Sequence, residues 1–361
     1  MTGIQSISQT DTNYLSISDF ENWTGINQYE TFNNVLVIYA YNLRELTESQ
    51  LIKQTALKLK NGEFNKVILY CADMDWVQMQ SQVDIIVNNL NDTFGENINK
   101  IVLTLCSMSW GNDWKNIKTI QNLGFLSMVI DRNIQFGKDY NLLNMGRQKH
   151  FITMNNEPRP MRIYLYDYLI KNNLLDKFEY SFFASQKDYI NWDDRIGGDD
   201  GLARIDGVFP KKIFEGETYQ NHKYDFQLVN MKHELNSYFS LIMETNYMSG
   251  DASYYAFSEK SFKGFAMKKP FMLWASPLAP KGLNQLGFKL YDKIFDVESW
   301  DNSSHDFRRV RFFDDIKRIC ELPINQIENM YVDNLETIEH NYNNLIRLIQ
   351  KEKEDFINLV L

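Results

Sequence analysis

The sequence predicts an α/β fold, because short apolar runs rich in Val and Ile alternate with helical patterns along the chain. A length of 361 residues favours two domains, each large enough for its own core. Hydrophobic residues make up 44% and charged residues 24%, an ordinary globular composition. No apolar run approaches the roughly 18 residues that a membrane span needs.

The first part of the chain is predicted to form a largely parallel sheet from βαβ units. The predicted strands are 35–39, 67–71, 101–106 and 126–130, and the predicted helices between them are 46–59, 77–90 and 116–123. Ligands of such sheets bind at the carboxyl ends of the strands, so polar residues that follow these strands are candidate site residues.

Three carboxylates follow strands of this first part. Asp73 and Asp75 have the Asp-x-Asp spacing that holds a divalent ion against a diphosphate, although the pattern is common by chance. Either one could instead act as a general base. Asp113 lies between Trp110 and Trp114, in a loop that could stack on a sugar or a base or form a hydrophobic lid.

A second domain is predicted to begin near residue 146. Its predicted strands are 151–154, 178–184, 238–244 and 271–275, and its predicted helices are 161–172 and one that begins after Ser258. The Asp- and Gly-rich stretch 191–216 is predicted to be an insertion or loop, and the end of the chain is predicted to be helical. We therefore divide the chain into 1–145, 146–325 and 326–361.

A cationic stretch in the second domain stands out against a net charge of −9. Between residues 258 and 289 there is one acid, Glu259, and the lysines are Lys260, Lys263, Lys268, Lys269, Lys281 and Lys289. Fixed lysines in an acidic chain favour a phosphate-bearing ligand. Ser258 is predicted to cap the helix, and the amide groups of a helix N-terminus suit a diphosphate.

Two arginines and one glutamate complete the candidate residues of this domain. Arg159 and Arg162 stand at i,i+3 where a helix is predicted to start, and arginine forks fit paired phosphate oxygens. Glu244 ends a predicted strand, where its carboxylate could accept hydrogen bonds from ribose or sugar hydroxyls. The alternative for all three is a solvated surface side chain.

Other function classes have weaker support in the sequence. Three cysteines and five histidines show no metal-ligand spacing, so buried thiols in a reducing cytosol are predicted and a zinc site is not. No Gly-x-Gly-x-x-Gly follows a strand and no Walker motif is present, which argues against dinucleotide oxidoreductases and ATPases. A pI near 5.2 argues against broad nucleic-acid binding.

The run SLIMET, followed by FSEKSFKGFAMKKPFMLWASP and LNQLGF, resembles the donor-binding half of two-Rossmann (GT-B) glycosyltransferases. It is similar in particular to the fucosyltransferase-like group and its phage and giant-virus relatives. The stretch 151–162 also looks like the Asn…Pro-Arg-x-x-Arg start of that domain in the viral relatives. The resemblance covers about residues 149–300, and its matching residues are Glu244, Ser258, Glu259, Lys260, Lys263, Pro270, Leu286, Gly287 and Phe288.

The resemblance implies two Rossmann-like domains with a central cleft and a helical C-terminal tail. It implies that 146–325 binds a nucleotide sugar as co-substrate, with no cofactor and no catalytic metal. Glu259 would contact donor hydroxyls, and Lys260 with Arg159 or Arg162 would contact the diphosphate. Ser258 replaces the commoner Thr, and Asn156 and Glu157 stand where relatives tend to have an arginine.

The predicted function is transfer of a sugar from a nucleotide diphosphate to a hydroxyl acceptor, in the cytoplasm of a bacterium or a phage-infected host cell. The acceptor would bind the domain 1–145, where Asp73, Asp75 or Asp113 would be the base. The phage relatives suggest 5-hydroxymethylcytosine in viral DNA as acceptor, and a glycan or lipopolysaccharide is the rival. The other hypotheses are a metal-dependent GT-A enzyme centred on Asp73 and Asp75, and a non-enzymatic module that binds nucleic acid or glycan.

Overall fold

The computed structural model describes residues 4–6, 35–40, 50–71, 80–106, 117–122, 146–155, 160–182, 231–244, 257–277, 279–301 and 305–360. The chain divides into two compact units, the first comprising 1–132 with 346–361 and the second 133–345. Each unit contains a parallel sheet with helices, so the predicted α/β class is confirmed. Among the described helices, none is both long and apolar enough to cross a membrane.

The first unit contains a five-stranded sheet in which every described pairing is parallel. In spatial and chain order its strands are β1 (Ile4–Ser6), β2 (Val35–Ala40), β3 (Lys66–Cys71), β4 (Ile101–Cys106) and β5 (Lys118–Asn122). Helix α1 (Gln50–Lys60) lies between β2 and β3, and α2 (Gln80–Phe94) with a 3₁₀ turn (Gly95–Lys100) precedes β4. Consecutive residues of β2 and β3 are fully buried, which is typical of a parallel sheet covered on both faces.

The sequence prediction for 116–123 was wrong, because this stretch contains β5, the last of the described strands of the sheet, and not a helix. Ile117, Ile120 and Leu123 recur every three residues, which resembles a helical period. Thr119 and the two isoleucines are β-branched, however, and β5 pairs with β4 from Lys118 to Asn122. Pairing with a neighbouring strand therefore decided the conformation.

The second unit contains a four-stranded parallel sheet in the order β7-β6-β8-β9. Its strands are β6 (Lys149–Asn155), β7 (Phe178–Phe182), β8 (Ser237–Met243) and β9 (Phe271–Trp274), each close to its predicted bounds. Every residue of β8 and β9 is buried, including Ser237 and Ser240 of β8, which is typical of a parallel sheet covered on both faces.

Helices connect and cover these strands. They are α3 (Pro160–Lys171), α4 (Met231–Leu235), α5 (Glu259–Ala266), α6 (Ala279–Gln285), α7 (Val297–Asp301) and α8 (His305–Cys320). Helix α5 packs closely on β9, since a Cβ atom at Gly264 would lie 2.3 Å from Cδ1 of Phe271. The Phe271 ring also contacts the rings of Phe265, on α5, and Tyr291, so α5 and β9 pack together through an aromatic cluster.

Two further helices, α9 (Ile324–Val332) and α10 (Leu335–Val360), match the predicted helical tail. The Asn341 amide of α10 accepts from the Lys289 amide nitrogen and donates to its carbonyl oxygen, both at 2.8 Å. The Asn344 amide donates to the Leu286 carbonyl at 2.9 Å. The later part of α10, from residue 346 onward, belongs to the first unit, where Nζ of Lys66 donates to the Leu359 carbonyl.

Candidate functional site

The strand order of the second sheet contains a switch point between β6 and β8. The chain passes from β6 to β7 on one side and then returns to place β8 on the other side of β6. In open parallel sheets, ligands bind outside the carboxyl ends of the strands at such a point. The residues there are Asn155 at the end of β6, Glu244 directly after β8 and Ser276 shortly after β9. We call these three residues the carboxyl-edge row.

Glu244 is buried and its carboxylate accepts three hydrogen bonds from the start of α5. Oε2 accepts from the Ser258 hydroxyl at 2.6 Å. Oε1 accepts from the Ser258 amide at 3.1 Å and from the Ser261 hydroxyl at 2.5 Å. An anion is favoured at a helix N-terminus by the helix dipole and the amide groups there. Glu244 is thus the anion that this chain itself supplies at the N-terminus of α5.

Ser258 caps α5, as its sequence position predicted. Its backbone is extended, and its side-chain oxygen accepts from the amide of Lys260 at 3.2 Å. Nζ of Lys260 also approaches the same oxygen, at 3.5 Å. The Ser258 hydroxyl therefore links the Glu244 carboxylate to the first turn of α5 and to the ammonium group of Lys260.

Arg162 is buried, although the sequence prediction assigned it to a diphosphate. Its Nε and Nη2 donate to the Met243 carbonyl at 3.3 and 2.9 Å. Met243 is the last residue of β8 and precedes Glu244, so the guanidinium group from α3 fixes the strand end that carries Glu244. Arg162 is therefore connected to the candidate site by its hydrogen bonds to the backbone of β8.

The remaining predicted site residues fall into two groups. Lys263 lies half-buried on α5, one turn beyond Lys260. Four others, Arg159, Asp73, Asp75 and Asp113, lie outside the described residues, and for Glu259 the description covers only its place as the first residue of α5. The structure thus brings Glu244, Ser258, Lys260 and Arg162 together around the end of β8.

The lysines that follow α5 serve other parts of the fold. Lys269 is fully buried, and its Nζ bonds the Glu234 carboxylate at 2.6 Å and the Ser237 hydroxyl at 3.0 Å, at the amino-terminal end of β8. Burial lowers the pKa of Lys269, although Glu234 acts in the opposite direction. Nζ of Lys268 bonds Glu339 at 2.7 Å and lies 4.4 Å from the Tyr342 ring centre. The predicted six-lysine cluster is therefore divided between separate places in the unit.

A buried arginine on α8 supports the end of β9. Nη1 of Arg308 donates to the Ala275 carbonyl at 2.7 Å, and its guanidinium carbon lies 4.4 Å from the Trp274 ring centre. Nη2 lies 3.4 Å from Oδ1 of Asp301. Burial raises the pKa of Asp301 to about 7, although Arg308 acts in the opposite direction. Neither Arg308 nor Asp301 was predicted from the sequence, where both look like ordinary surface residues.

Sequence reasoning also missed three polar residues of this edge. Ser261 is one of the donors to Glu244, while Asn155 and Ser276 are the other two members of the carboxyl-edge row. Asn155 follows a predicted strand directly, so its position was a signal that could have identified it. Among the described residues, no group of three or more His, Cys, Asp or Glu side chains is arranged to hold a metal ion.

Comparison with protein-family models and with curated protein sequences gave no match.

Proposed function

We propose that the chain is a glycosyltransferase of the GT-B type, with two Rossmann-like domains. It would move a sugar from a nucleotide diphosphate to a hydroxyl acceptor. The observation that carries the proposal is the junction of Glu244, Ser258 and Lys260 beside the switch point of a parallel sheet. Glu244 comes from the run SLIMET, and Ser258 and Lys260 come from the run FSEKSFKGFAMKKPFMLWASP, two of the stretches that resemble the fucosyltransferase-like group and its phage relatives.

The chemistry requires a base for the acceptor and positive charge for the leaving group. As the acceptor hydroxyl loses its proton to the base, its oxygen forms a bond to C1 of the sugar. The bond from C1 to the diphosphate oxygen breaks, and that oxygen keeps the electron pair. Fixed cations and dipoles stabilise the charge that develops there. Lys260 is the residue that we assign to this charge, with the carboxylates Asp73, Asp75 and Asp113 as the candidate bases.

Lys260 is preferred over its neighbours because of its position at the start of α5. Lys268 and Lys269 follow the end of the helix, and their ammonium groups lie at Glu339 and Glu234, away from the carboxyl end of β8. Arg162 is directed to the backbone of β8 and is assigned a supporting role. Glu244 would hold α5 in place, so donor hydroxyls would be left to Glu259, as the resemblance implies.

The first test is binding of UDP and GDP to the full chain, measured by thermal shift and calorimetry. A ligand present at 100 times its Kd stabilises the folded state by about 2.7 kcal/mol, which raises the melting temperature. Lys260→Ala should weaken binding, and Lys281→Ala, which removes an exposed lysine of α6, should not. If neither nucleotide nor any of their sugar derivatives shifts the melting temperature at millimolar concentration, the proposal is refuted.

The acceptor is assigned by a second measurement, release of the nucleotide during turnover. DNA that contains 5-hydroxymethylcytosine and a lipopolysaccharide are the two acceptors to compare, with unmodified DNA as the blank. Full activity in excess EDTA is expected, whereas loss of activity would favour the metal-dependent GT-A hypothesis. Salt-sensitive binding of DNA without nucleotide affinity would favour the non-enzymatic binding module.

A further inference from the structure

The carboxyl-edge row occupies three neighbouring strand ends. The register Ile152↔Ser240 between β6 and β8, extended by three residues, places Asn155 opposite Met243. The Glu244 amide donates to the Trp274 carbonyl at 2.9 Å, which continues the ladder between β8 and β9. Asn155, Glu244 and Ser276 therefore follow one another along the same edge of the sheet.

Glu244, the middle member, accepts three hydrogen bonds from the protein, out of the roughly four that a carboxylate can accept. Three donors of Ser258 and Ser261 occupy its two oxygens, and all three belong to the start of α5. Since buried polar groups are nearly always paired, these contacts account for the burial of this carboxylate. A ligand at this edge would find both oxygens of Glu244 already bonded to the start of α5.

Asn155 has one amide atom engaged and one that is not. The Thr153 hydroxyl donates its only proton to the Leu241 carbonyl at 2.9 Å, so toward Asn155 it can act only as an acceptor. The atom of Asn155 that lies 2.9 Å from Thr153 must therefore be the donor Nδ2. This contact fixes the orientation of the amide. Oδ1 is buried and has no hydrogen-bond partner within the described part of the chain.

Ser276, the third member, is 4% exposed. Its carbonyl oxygen accepts from the Ala279 amide at 3.0 Å, which forms the turn into α6. Its hydroxyl, in contrast, has no hydrogen-bond partner among the residues that the structure describes. The backbone on its N-terminal side is held by Arg308, which donates to the Ala275 carbonyl, so the backbone at Ser276 is held on both sides.

Two buried polar atoms without partners on one sheet edge indicate a ligand that bonds them, because such atoms are costly to leave unpaired. Neighbouring strands lie about 4.8 Å apart, so β6 and β9, separated by β8, are roughly 10 Å apart. That separation suits a ligand with several donors and acceptors, such as a nucleoside or a glycosyl group, better than one small anion.

We infer that Asn155 and Ser276 bind the nucleoside or sugar portion of the donor substrate. Oδ1 of Asn155 accepts a hydrogen bond from a hydroxyl or amino group, and the Ser276 hydroxyl bonds a second polar group. Glu244 stays with the helix and keeps α5 at the end of β8. This inference rests on the proposed function and assigns its binding contacts to two residues, Asn155 and Ser276, that were not among the candidate site residues predicted from the sequence.

The test is calorimetric titration of the full chain with UDP and with GDP, using Asn155→Ala, Ser276→Ala and the wild type. Each variant should bind the preferred nucleotide, or its sugar derivative, about tenfold more weakly, because each loses one hydrogen bond to the ligand. Without ligand, Ser276→Ala should melt at the wild-type temperature, since its hydroxyl bonds no described group of the protein.

The matched control is Asn334→Ala, which removes another buried asparagine. Its Nδ2 donates to the carbonyl of Met330, in α9, at 2.8 Å. The neighbouring Tyr331 packs on Arg147, which precedes β6, so Asn334 lies near the amino-terminal edge of the sheet, opposite the carboxyl-edge row. Asn334→Ala should lower the melting temperature without changing nucleotide affinity. If the wild type binds and all three variants bind equally well, the inference is overturned and the proposed function stands. If Asn334→Ala weakens binding as much as the other two, the inference is likewise overturned. If the wild type binds no nucleotide, both are overturned.

Discussion

The role assigned to Glu244 gives a direct prediction for Glu244→Gln. The substitution keeps the size of the side chain and keeps one oxygen, which can still accept from the Ser258 amide and the Ser261 hydroxyl. The other oxygen becomes an NH₂ group that faces the Ser258 hydroxyl. That hydroxyl has two lone pairs, which already accept from the amide and from Nζ of Lys260 at 3.2 and 3.5 Å, so the new donor would have to displace one of these contacts.

The expected loss is about 2–4 kcal/mol of unfolding free energy for the second unit. A hydrogen bond to a charged group contributes about 1.5–3 kcal/mol, and the bond between Ser258 and Oε2 is lost outright. Removing the negative charge from the N-terminus of α5 adds roughly 0.3–1 kcal/mol. The two effects act in the same direction, because both stabilise the first turn of one helix.

The assay is urea unfolding at 25 °C followed by tryptophan fluorescence, since Trp274 is fully buried in β9 of the same sheet. Glu328→Gln serves as the control, because it makes the same chemical change at an exposed position on α9. A change below about 0.5 kcal/mol for Glu244→Gln would refute the reasoning. It would show that the carboxylate is dispensable for the cap of α5, and Glu244 would again be a candidate for binding ribose or sugar hydroxyls.

Three further predictions concern packing, a buried cation and pH. Gly264→Ala should destabilise the chain by about 1–2 kcal/mol, because the overlap of the new methyl group with the Phe271 ring outweighs the gain of roughly 1 kcal/mol in helix propensity. Gly146→Ala should not destabilise it, because nothing lies within 4 Å of a Cβ atom there. Lys269→Met should cost about 3–5 kcal/mol, since it leaves a buried acid uncompensated, and Lys268→Met less than about 1 kcal/mol. The raised pKa of Asp301 should make the wild type lose about 2–3 kcal/mol relative to Asp301→Asn as the pH rises from 5 to 8.

Each of these has a contrary outcome in unfolding experiments. A neutral or stabilising Gly264→Ala would show that the ring moves aside at little cost. Equal losses of stability in Lys268→Met and Lys269→Met would contradict the argument that the buried ion pair matters more than the exposed one. The folded state favours the protonated form of Asp301, so its contribution is complete below the unfolded pKa near 4 and is lost as the pH rises through 7. A stability difference that does not vary with pH would contradict this sign.

Local chemistry was enough to predict most elements of the second unit. The aromatic and aliphatic runs of β8 and β9 and the serine before α5 carry their signals within a few residues. Strand β5 carried a mixed signal, because its apolar spacing suited a helix and its residue types suited a strand. Only the presence of β4 beside it resolved the conflict, and a neighbouring strand is not visible in a local pattern.

The candidate site was predictable in position and less so in contacts. Glu244 and Ser258 were both expected near a ligand, but their bond depends on how α5 returns to the end of β8. The order of the strands, and hence the switch point, follows from packing and not from local sequence. Lysines adjacent in sequence at 268 and 269 separate because one is buried at the start of β8 while the other reaches α10.

The continuous helix α10 has a consequence for how the protein is made. Its residues from 346 onward are part of the same compact unit as residues 1–132, and Ile349 and Phe356 are buried. During synthesis, the first sheet therefore leaves the ribosome well before the segment that completes its unit. A single cut in the chain therefore cannot separate the two units intact, and a chain that ends before residue 346 lacks the buried side chains that the end of α10 supplies.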